Sequence, residues 1–132
     1  MSMKLENQVV SLELAKKLRK LGVEQESYFF WCDDGTIRQP FLIESSTARW
    51  PDKWEFSAYT VAELGELLPT EQNDRLGFFS GRAINGWFCE VKDYGIMPYD
   101  RLHVELQHET EADARAAMLI WLIQNELLDP KV

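Results

Sequence analysis

The sequence predicts an α+β fold, in which a mainly antiparallel sheet of about five strands is covered by three helices and the C-terminal helix is central. Three observations lead to this prediction. Hairpin turn signals occur at Asp34-Gly35 and at Asn85-Gly86. Three helical segments begin at good capping residues. The last of them, Thr110 to Leu128, carries apolar residues on two opposite faces, and such a helix has to be covered twice.

Length and composition indicate one globular domain, residues 1–132. The chain of 132 residues is long enough to bury a core without metal or disulfides, and 45% of it is hydrophobic. The net charge of −8 disfavours non-specific binding to nucleic acid or anionic membranes. The longest apolar run of the last helix is far shorter than the roughly 20 residues that span a bilayer. The N-terminus lacks a secretory apolar segment, so we expect a cytoplasmic protein.

The first helix is predicted from about Leu12 to Leu21, between the N-cap Ser11 and Gly22. Its basic residues are expected to face water, because four charges on an amphipathic helix are ordinary. A β-hairpin follows, with strands Tyr28 to Cys32 and Ile37 to Ile43 around the tight turn at Asp34-Gly35. Pro40 cannot donate a hydrogen bond, which predicts an edge or a bend in the second strand.

Residues 44–57 are predicted to be irregular, and they hold two tryptophans, Trp50 and Trp54. Tryptophan is highly buried on average, which favours packing onto the core. The alternative is that these side chains stand at the surface as anchors for a partner. A second loop, residues 94–101, carries Met97 and Tyr99. These four residues are the candidate partner-binding residues.

The centre of the chain has the clearest local signals. Thr60 and Glu63 form a capping box, which predicts a short helix. Leu76 to Ile84 and Trp87 to Asp93 flank Asn85-Gly86, which predicts a second hairpin with these two residues as its turn. Small residues on one face of its first strand, such as Gly81, predict that a large group packs there. Residues 102–107 alternate as a half-exposed strand.

The last helix is predicted to begin at the N-cap Thr110, with Asp113 completing a variant capping box. One apolar face is expected to lie on a sheet, and the other to meet further helices or a second subunit. If that second face is not covered within the monomer, a symmetric homodimer through the C-terminal helix should bury it. The two faces are Ala114, Ala117, Met118, Trp121 and Leu128, and Ala112, Ala116, Leu119, Ile120, Ile123 and Leu127.

Residues that could perform catalysis or bind a metal form no recognisable pattern. On a strand, His103 and Glu105 would share a face while His108 points away, which is a poor metal-ligand set. Cys32 and Cys89 lie in apolar runs, where burial raises the pKa of a thiol and makes it inert. We therefore assign no catalytic, cofactor-binding or metal-binding residue.

Two segments, Tyr59 to Pro69 and Ala112 to Ile123, resemble small uncharacterised phage and prophage proteins of the phage α-β-α sandwich domain type. The first segment is a capped short helix that ends in Leu68-Pro69, and the second is an acidic, alanine-rich start that runs into an apolar helix. The resemblance implies a sheet covered by helices on two sides. It implies no activity, and the aromatic hairpin from Tyr28 to Ile43 has no place in it.

Three functional hypotheses remain. The leading one is a non-enzymatic accessory or protein-interaction module of phage or mobile-element type, with a protein partner that contacts the aromatic loops. The second is an acidic decoy that presents carboxylates in place of nucleic-acid phosphates to a DNA-binding protein. The third is a small enzyme with a site near His103, which requires a pocket with convergent polar groups.

Overall fold

The computed structural model describes residues 4–33, 35, 39–44, 54–68, 76–93 and 103–130, with the backbone alone at 76, 92, 93 and 103. No helix among these residues is both long and apolar enough to cross a bilayer. In chain order the elements are a 3-10 helix (Leu5–Asn7), α1 (Leu12–Lys20), β1 (Phe29–Cys32), β2 (Phe41–Glu44), β3 (Glu55–Ser57), α2 (Val61–Leu67), β4 (Leu76–Ala83), β5 (Gly86–Asp93), β6 (His103–His108) and α3 (Glu111–Gln124).

The described strands form two three-stranded antiparallel sheets, sheet 1 with the order β2-β1-β3 and sheet 2 with the order β4-β5-β6. The predicted α+β class with three helices is confirmed, but the single sheet of about five strands is not found. One strand was not expected from the sequence: β3 lies in the stretch predicted to be irregular and pairs with β1. On β1, Phe30 is buried on one face while Trp31 packs against the core from the other. A strand that is apolar on both faces takes an interior position, and β3 supplies its second neighbour.

Helix α3 lies between two layers, as predicted for the last helix. One side packs on all three strands of sheet 2, and the other packs on α1 and α2. Most of both apolar faces is therefore covered within one chain, although Leu127 is 39% exposed. The homodimer through this helix stays a prediction. The buried residues of α3 are Ala112, Ala114, Ala116, Met118, Leu119, Ile120 and Leu122.

The two ends of α3 differ from the sequence prediction in informative ways. Thr110 is the N-cap, and its hydroxyl accepts a hydrogen bond from the Asp113 amide at 3.1 Å. The Asp113 carboxylate accepts instead from the backbone amide of Ser11 at 2.7 Å, which joins α3 to the start of α1. The helix ends at Gln124 rather than Leu128, because Glu126 takes a positive φ of 59° and the Leu127 amide bonds back to the Leu122 carbonyl. This is the geometry of a Schellman cap.

Helix α1 attaches to sheet 1 through its basic residues. Ser11 is its N-cap and Gly22 has a positive φ of 93°, as predicted. The Lys16 ammonium and the Arg19 guanidinium lie 5.6 and 5.3 Å from the centroid of the Phe56 ring. The prediction that this face is only solvated is thus incomplete, because two of its cations cover an aromatic ring on β3.

The first hairpin forms, but without the predicted two-residue turn. Cys32 pairs with Phe41, so the connection runs from residue 33 to residue 40. Gly35 does take a positive φ of 77°, and Pro40 lies just before β2, outside the ladder. Because β2 is an edge strand of sheet 1, the edge position predicted from Pro40 is confirmed.

The predicted capping box of α2 and the second hairpin are both present. Thr60 and Glu63 cap each other's backbone amides at 3.2 and 2.9 Å. In the hairpin, Ala83 pairs with Gly86, so the turn residues are Ile84-Asn85 and not Asn85-Gly86. Gly86 takes this strand position because the backbone of His108 lies close to it. A Cβ on Gly86 would stand 2.5 Å from the carbonyl oxygen of His108.

Gly81 has the role that its small size predicts. A Cβ at this position would lie 3.1 Å from the Phe88 ring on the neighbouring strand. The ring of Phe79 lies 5.7 Å from that of Phe88 on the same outward face. The large group beside the small residue is therefore an aromatic ring of sheet 2 and not a helix.

We predict that Gly86→Ala lowers the free energy of unfolding by about 3 kcal/mol, because the new methyl group meets a backbone carbonyl and φ is +151°. Gly35→Ala is the matched control, since it also has a positive φ but open space around it, and we expect a loss of about 1 kcal/mol. Chemical denaturation measures both. Equal losses would show that glycine is needed at position 86 because of backbone strain alone, and not because of the close approach to His108.

Candidate functional site

The first candidate is one end of sheet 1, where two aromatic side chains are exposed. Cys32 pairs with Phe41 on one side and with Glu55 on the other, so all three strands meet at this end. Trp54 immediately precedes β3, and its carbonyl accepts a hydrogen bond from the Asp33 amide at 2.9 Å. Trp54 is 44% exposed and Phe41 is 42% exposed. We call these two side chains the aromatic end of sheet 1.

The four residues predicted to bind a partner fall differently in the structure. Trp50, Met97 and Tyr99 lie outside the described residues. Trp54 is described, and its exposure of 44% differs from the core position that the sequence favours. Phe41 was not singled out by sequence reasoning. Its signal was the preceding Pro40, which places it at the start of an edge strand.

A second candidate is a cavity of about 810 Å³ at the junction of the two sheets. Phe29 and Trp87 supply aromatic walls from sheet 1 and sheet 2. Thr60 and Thr110, the N-caps of α2 and α3, line it together with the 3-10 helix. The cavity has the size of a small-molecule site.

The polar groups of this cavity are largely occupied by neighbouring parts of the chain. The hydroxyls of Thr60 and Thr110 accept hydrogen bonds from the amides of their own helices. Glu111 lines the cavity, but its carboxylate is bound by Ser80 and Arg115. Outside the lining, the guanidinium of Arg82 lies 5.3 Å from the Trp87 ring. The described lining therefore offers aromatic surface and carboxylates rather than a nucleophile beside a base.

Arg115 is the centre of a polar network that joins α3 to α2 and β4. Its guanidinium donates to the Val61 carbonyl at 2.9 Å and to the Ser80 hydroxyl at 3.0 Å. It also pairs with Glu111 at 3.4 Å, and the Ser80 hydroxyl donates to the same carboxylate at 2.8 Å. Since the side chains bind one another and a backbone carbonyl, the network acts as a structural connection.

Space for this network is provided by Gly65 on α2. A Cβ on Gly65 would lie 2.6 Å from a terminal nitrogen of Arg115. The guanidinium lies 5.3 Å from the centroid of the Phe78 ring. Nothing in the sequence pattern pairs Gly65 with Arg115, because the two residues meet only after α2 and α3 pack together.

Burial determines the acid–base behaviour of two groups in the core. It raises the pKa of the Cys89 thiol from 9.0 to about 12, against a smaller opposite effect of Arg115. It likewise raises the pKa of the Tyr59 hydroxyl from 10.0 to about 12. Cys89 is a free, buried thiol, as predicted, whereas Cys32 is only half-buried. A thiol that stays protonated at neutral pH is a poor nucleophile.

Both histidines lie on strand β6. The strand places positions 103 and 105 on one side and position 108 on the other, as the sequence pattern predicts. His108 is not among the residues that line the cavity. In the part of the chain that the structure describes, no group of three or more His, Cys, Asp or Glu residues is arranged to hold a metal ion.

We predict that Arg115→Met lowers the free energy of unfolding by about 2 kcal/mol, because it removes the donor to the Ser80 hydroxyl and to the Val61 carbonyl, and one of the two donors to Glu111. The matched control is Arg82→Met, which removes an exposed guanidinium that also lies over an aromatic ring. This control should change stability by less than about 0.5 kcal/mol. Urea denaturation compares them, and equal effects would contradict the structural role of the network.

Alkaline pH should destabilise the protein through Cys89. The pKa of this thiol is higher in the folded protein than in the unfolded chain, so the unfolded chain loses the proton at lower pH. The contribution of Cys89 to the free energy of unfolding is therefore constant below pH 9.0 and decreases as the pH rises toward 12. The slope from this one group is about 1.4 kcal/mol per pH unit. Denaturation at several pH values should show a shallower fall in Cys89→Ala than in the wild type. Tyr59→Phe should have the same effect above pH 10.0, and unchanged slopes in both variants would contradict the assignment.

Comparisons with protein-family models, with curated proteins and with solved structures found no match to this chain. The resemblance to the phage α-β-α sandwich type therefore stays a prediction. The fold and the two candidate sites rest on the geometry of this chain.

Proposed function

We propose that this chain is a non-enzymatic protein-interaction module, an accessory protein of phage or mobile-element type, which contacts its partner through the aromatic end of sheet 1. The observation that carries the proposal is the joint exposure of Trp54 and Phe41 at one end of the sheet. Tryptophan is normally well buried, and exposed aromatic side chains are typical anchors of protein interfaces.

The surroundings of the aromatic end favour a pre-formed contact surface. Asp33, at the end of β1, bonds through its backbone amide to the Trp54 carbonyl. The Asp33 carboxylate pairs with the Lys16 ammonium at 2.6 Å, which connects this end to α1. A backbone held at several points costs little ordering entropy on binding, and rigid aromatic groups add contact area.

The acidic decoy is the second candidate, and it rests on the net charge of −8 for a chain of this size. Exposed Lys16, Lys17 and Lys20 on α1 interrupt the acidic surface, which is why the decoy ranks second.

The test is affinity capture from a bacterial lysate with wild type, Trp54→Ala and Phe41→Ala, followed by mass spectrometry. We expect a salt-resistant protein partner whose recovery falls at least about tenfold in each variant, as for loss of an interface anchor. The melting temperature should stay nearly unchanged, because both side chains are substantially exposed. Trp50→Ala extends the test to the other tryptophan.

Tyr28→Ala is the matched control, because Tyr28 is 68% exposed and precedes the other end of β1. It should retain the partner. Equal recovery with Trp54→Ala and with wild type would reject this contact surface. A large loss of stability in Trp54→Ala would place the indole in the core. A partner that is lost at moderate salt in every variant would favour the decoy, because exposed charge contacts are screened.

A further inference from the structure

Among the described strands, β4 lies at an edge of sheet 2. It pairs with β5 along its whole length, and the order of sheet 2 places no described strand on its other side. The two-residue turn Ile84-Asn85 is closed by Ala83 and Gly86. Backbone hydrogen bonds to β5 therefore come from the odd-numbered residues of β4, while the amides and carbonyls of Phe78, Ser80 and Arg82 point to the open side.

This edge lacks the features that usually prevent strands from pairing. Its eight residues include no proline, lysine or carboxylate, and their one charge is Arg82. Phe79 is 59% exposed, and Ile84, just past the strand, is fully exposed. A long, apolar edge of this kind is a template for another strand.

The sequence of the edge is complementary to itself about Ser80. In an antiparallel pair of two β4 strands centred there, Phe79 lies opposite Gly81 and Phe78 lies opposite Arg82. Gly77 meets Ala83. Each position thus has a partner of fitting size and charge, and each such pair occurs twice about a two-fold axis.

We propose that β4 pairs with β4 of a second copy of this chain, which forms a continuous six-stranded antiparallel sheet across a two-fold axis at Ser80. The backbone groups on the open side, at Phe78, Ser80 and Arg82, form the hydrogen-bonded pairs. Phe79 and Gly81 then form the non-hydrogen-bonded pairs, in which side chains approach most closely. The Phe79 ring of each copy covers the opposing Gly81 and the Phe88 ring beside it.

Charge favours this edge as the contact between two copies. Each chain carries a net charge of −8, so most surfaces of two copies repel. Strand β4 has no carboxylate, and Arg82 gains an aromatic ring, Phe78, across the axis. Self-association should therefore strengthen as salt rises, because salt screens the repulsion between the rest of the two chains.

Analytical ultracentrifugation of the intact chain over a wide concentration range, at low and high salt, tests the proposal. We expect a monomer–dimer equilibrium that tightens with salt. Phe79→Ala should raise the dissociation constant about tenfold, since two aromatic–glycine pairs are lost. Phe79→Glu should abolish the dimer. Tyr28→Ala, which removes an exposed aromatic side chain just before β1, should leave the constant unchanged.

Amide hydrogen exchange locates the contact. The amides of Phe78, Ser80 and Arg82 should exchange more slowly as concentration rises, while those of Phe79 and Gly81, already bonded to β5, should not change. A chain that stays monomeric at every concentration overturns the proposal. So does a dimer that persists in Phe79→Glu or leaves the exchange of these three amides unchanged. The test is independent of the aromatic end of sheet 1, which lies on the other sheet.

Discussion

The two-sided burial of α3 is the constraint on which the rest of the structure depends. A helix without a broad polar face is unstable in water unless packing covers it from both sides. Sheet 2 covers one side, and α1 with α2 covers the other. The order of these layers, with sheet 2 on one side of α3 and α1 with α2 on the other, follows from this requirement. Strand β3 contacts α1 and β1 rather than α3. Strands β1 and β2 reach the core through Trp31, whose indole donates to the Val10 carbonyl at 2.8 Å.

Polar side chains of α3 hold these layers in place. Asp113 bonds to the first residue before α1, and Arg115 reaches α2 and β4. Both lie in the first two turns of the helix, so its N-terminal half aligns three neighbouring elements. The C-terminal half contributes apolar contact and ends in a Schellman cap. One helix therefore supplies both the apolar burial and the polar connections that orient its neighbours.

Some aromatic residues pack inside the protein, and others are exposed where a second chain could bind. Phe78, Trp87 and Phe56 lie under guanidinium groups or against the core. Trp54 and Phe41 stand at one end of sheet 1, and Phe79 stands on the outward face of sheet 2. The inner surfaces stabilise the fold, whereas the exposed ends and edges are where another chain can add contact area. The proposed interaction surface and the proposed self-pairing edge accordingly lie on different sheets.

Local signals in the sequence were sufficient for the helix starts, the α+β class and the central position of the last helix. Ser11, Thr60 and Thr110 cap through side chains that reach only three residues ahead, so their role does not depend on distant partners. The two apolar faces of α3 likewise follow from its own residue spacing. Gly81 could be recognised as a site of close packing for the same reason, since a missing side chain leaves room wherever the strand lies.

Tertiary structure decided what depends on distant neighbours. The turn of the second hairpin moved by one residue because Gly86 is needed against His108, which lies on another strand. Strand β3 has three residues and little pattern of its own, and it becomes the third strand of sheet 1 only by pairing with β1. The contact between Gly65 and Arg115 also depends on residues that are distant in the sequence, and so does the exposure of Trp54. A residue's partners across the core are set by how the elements pack, and no spacing along the chain specifies them.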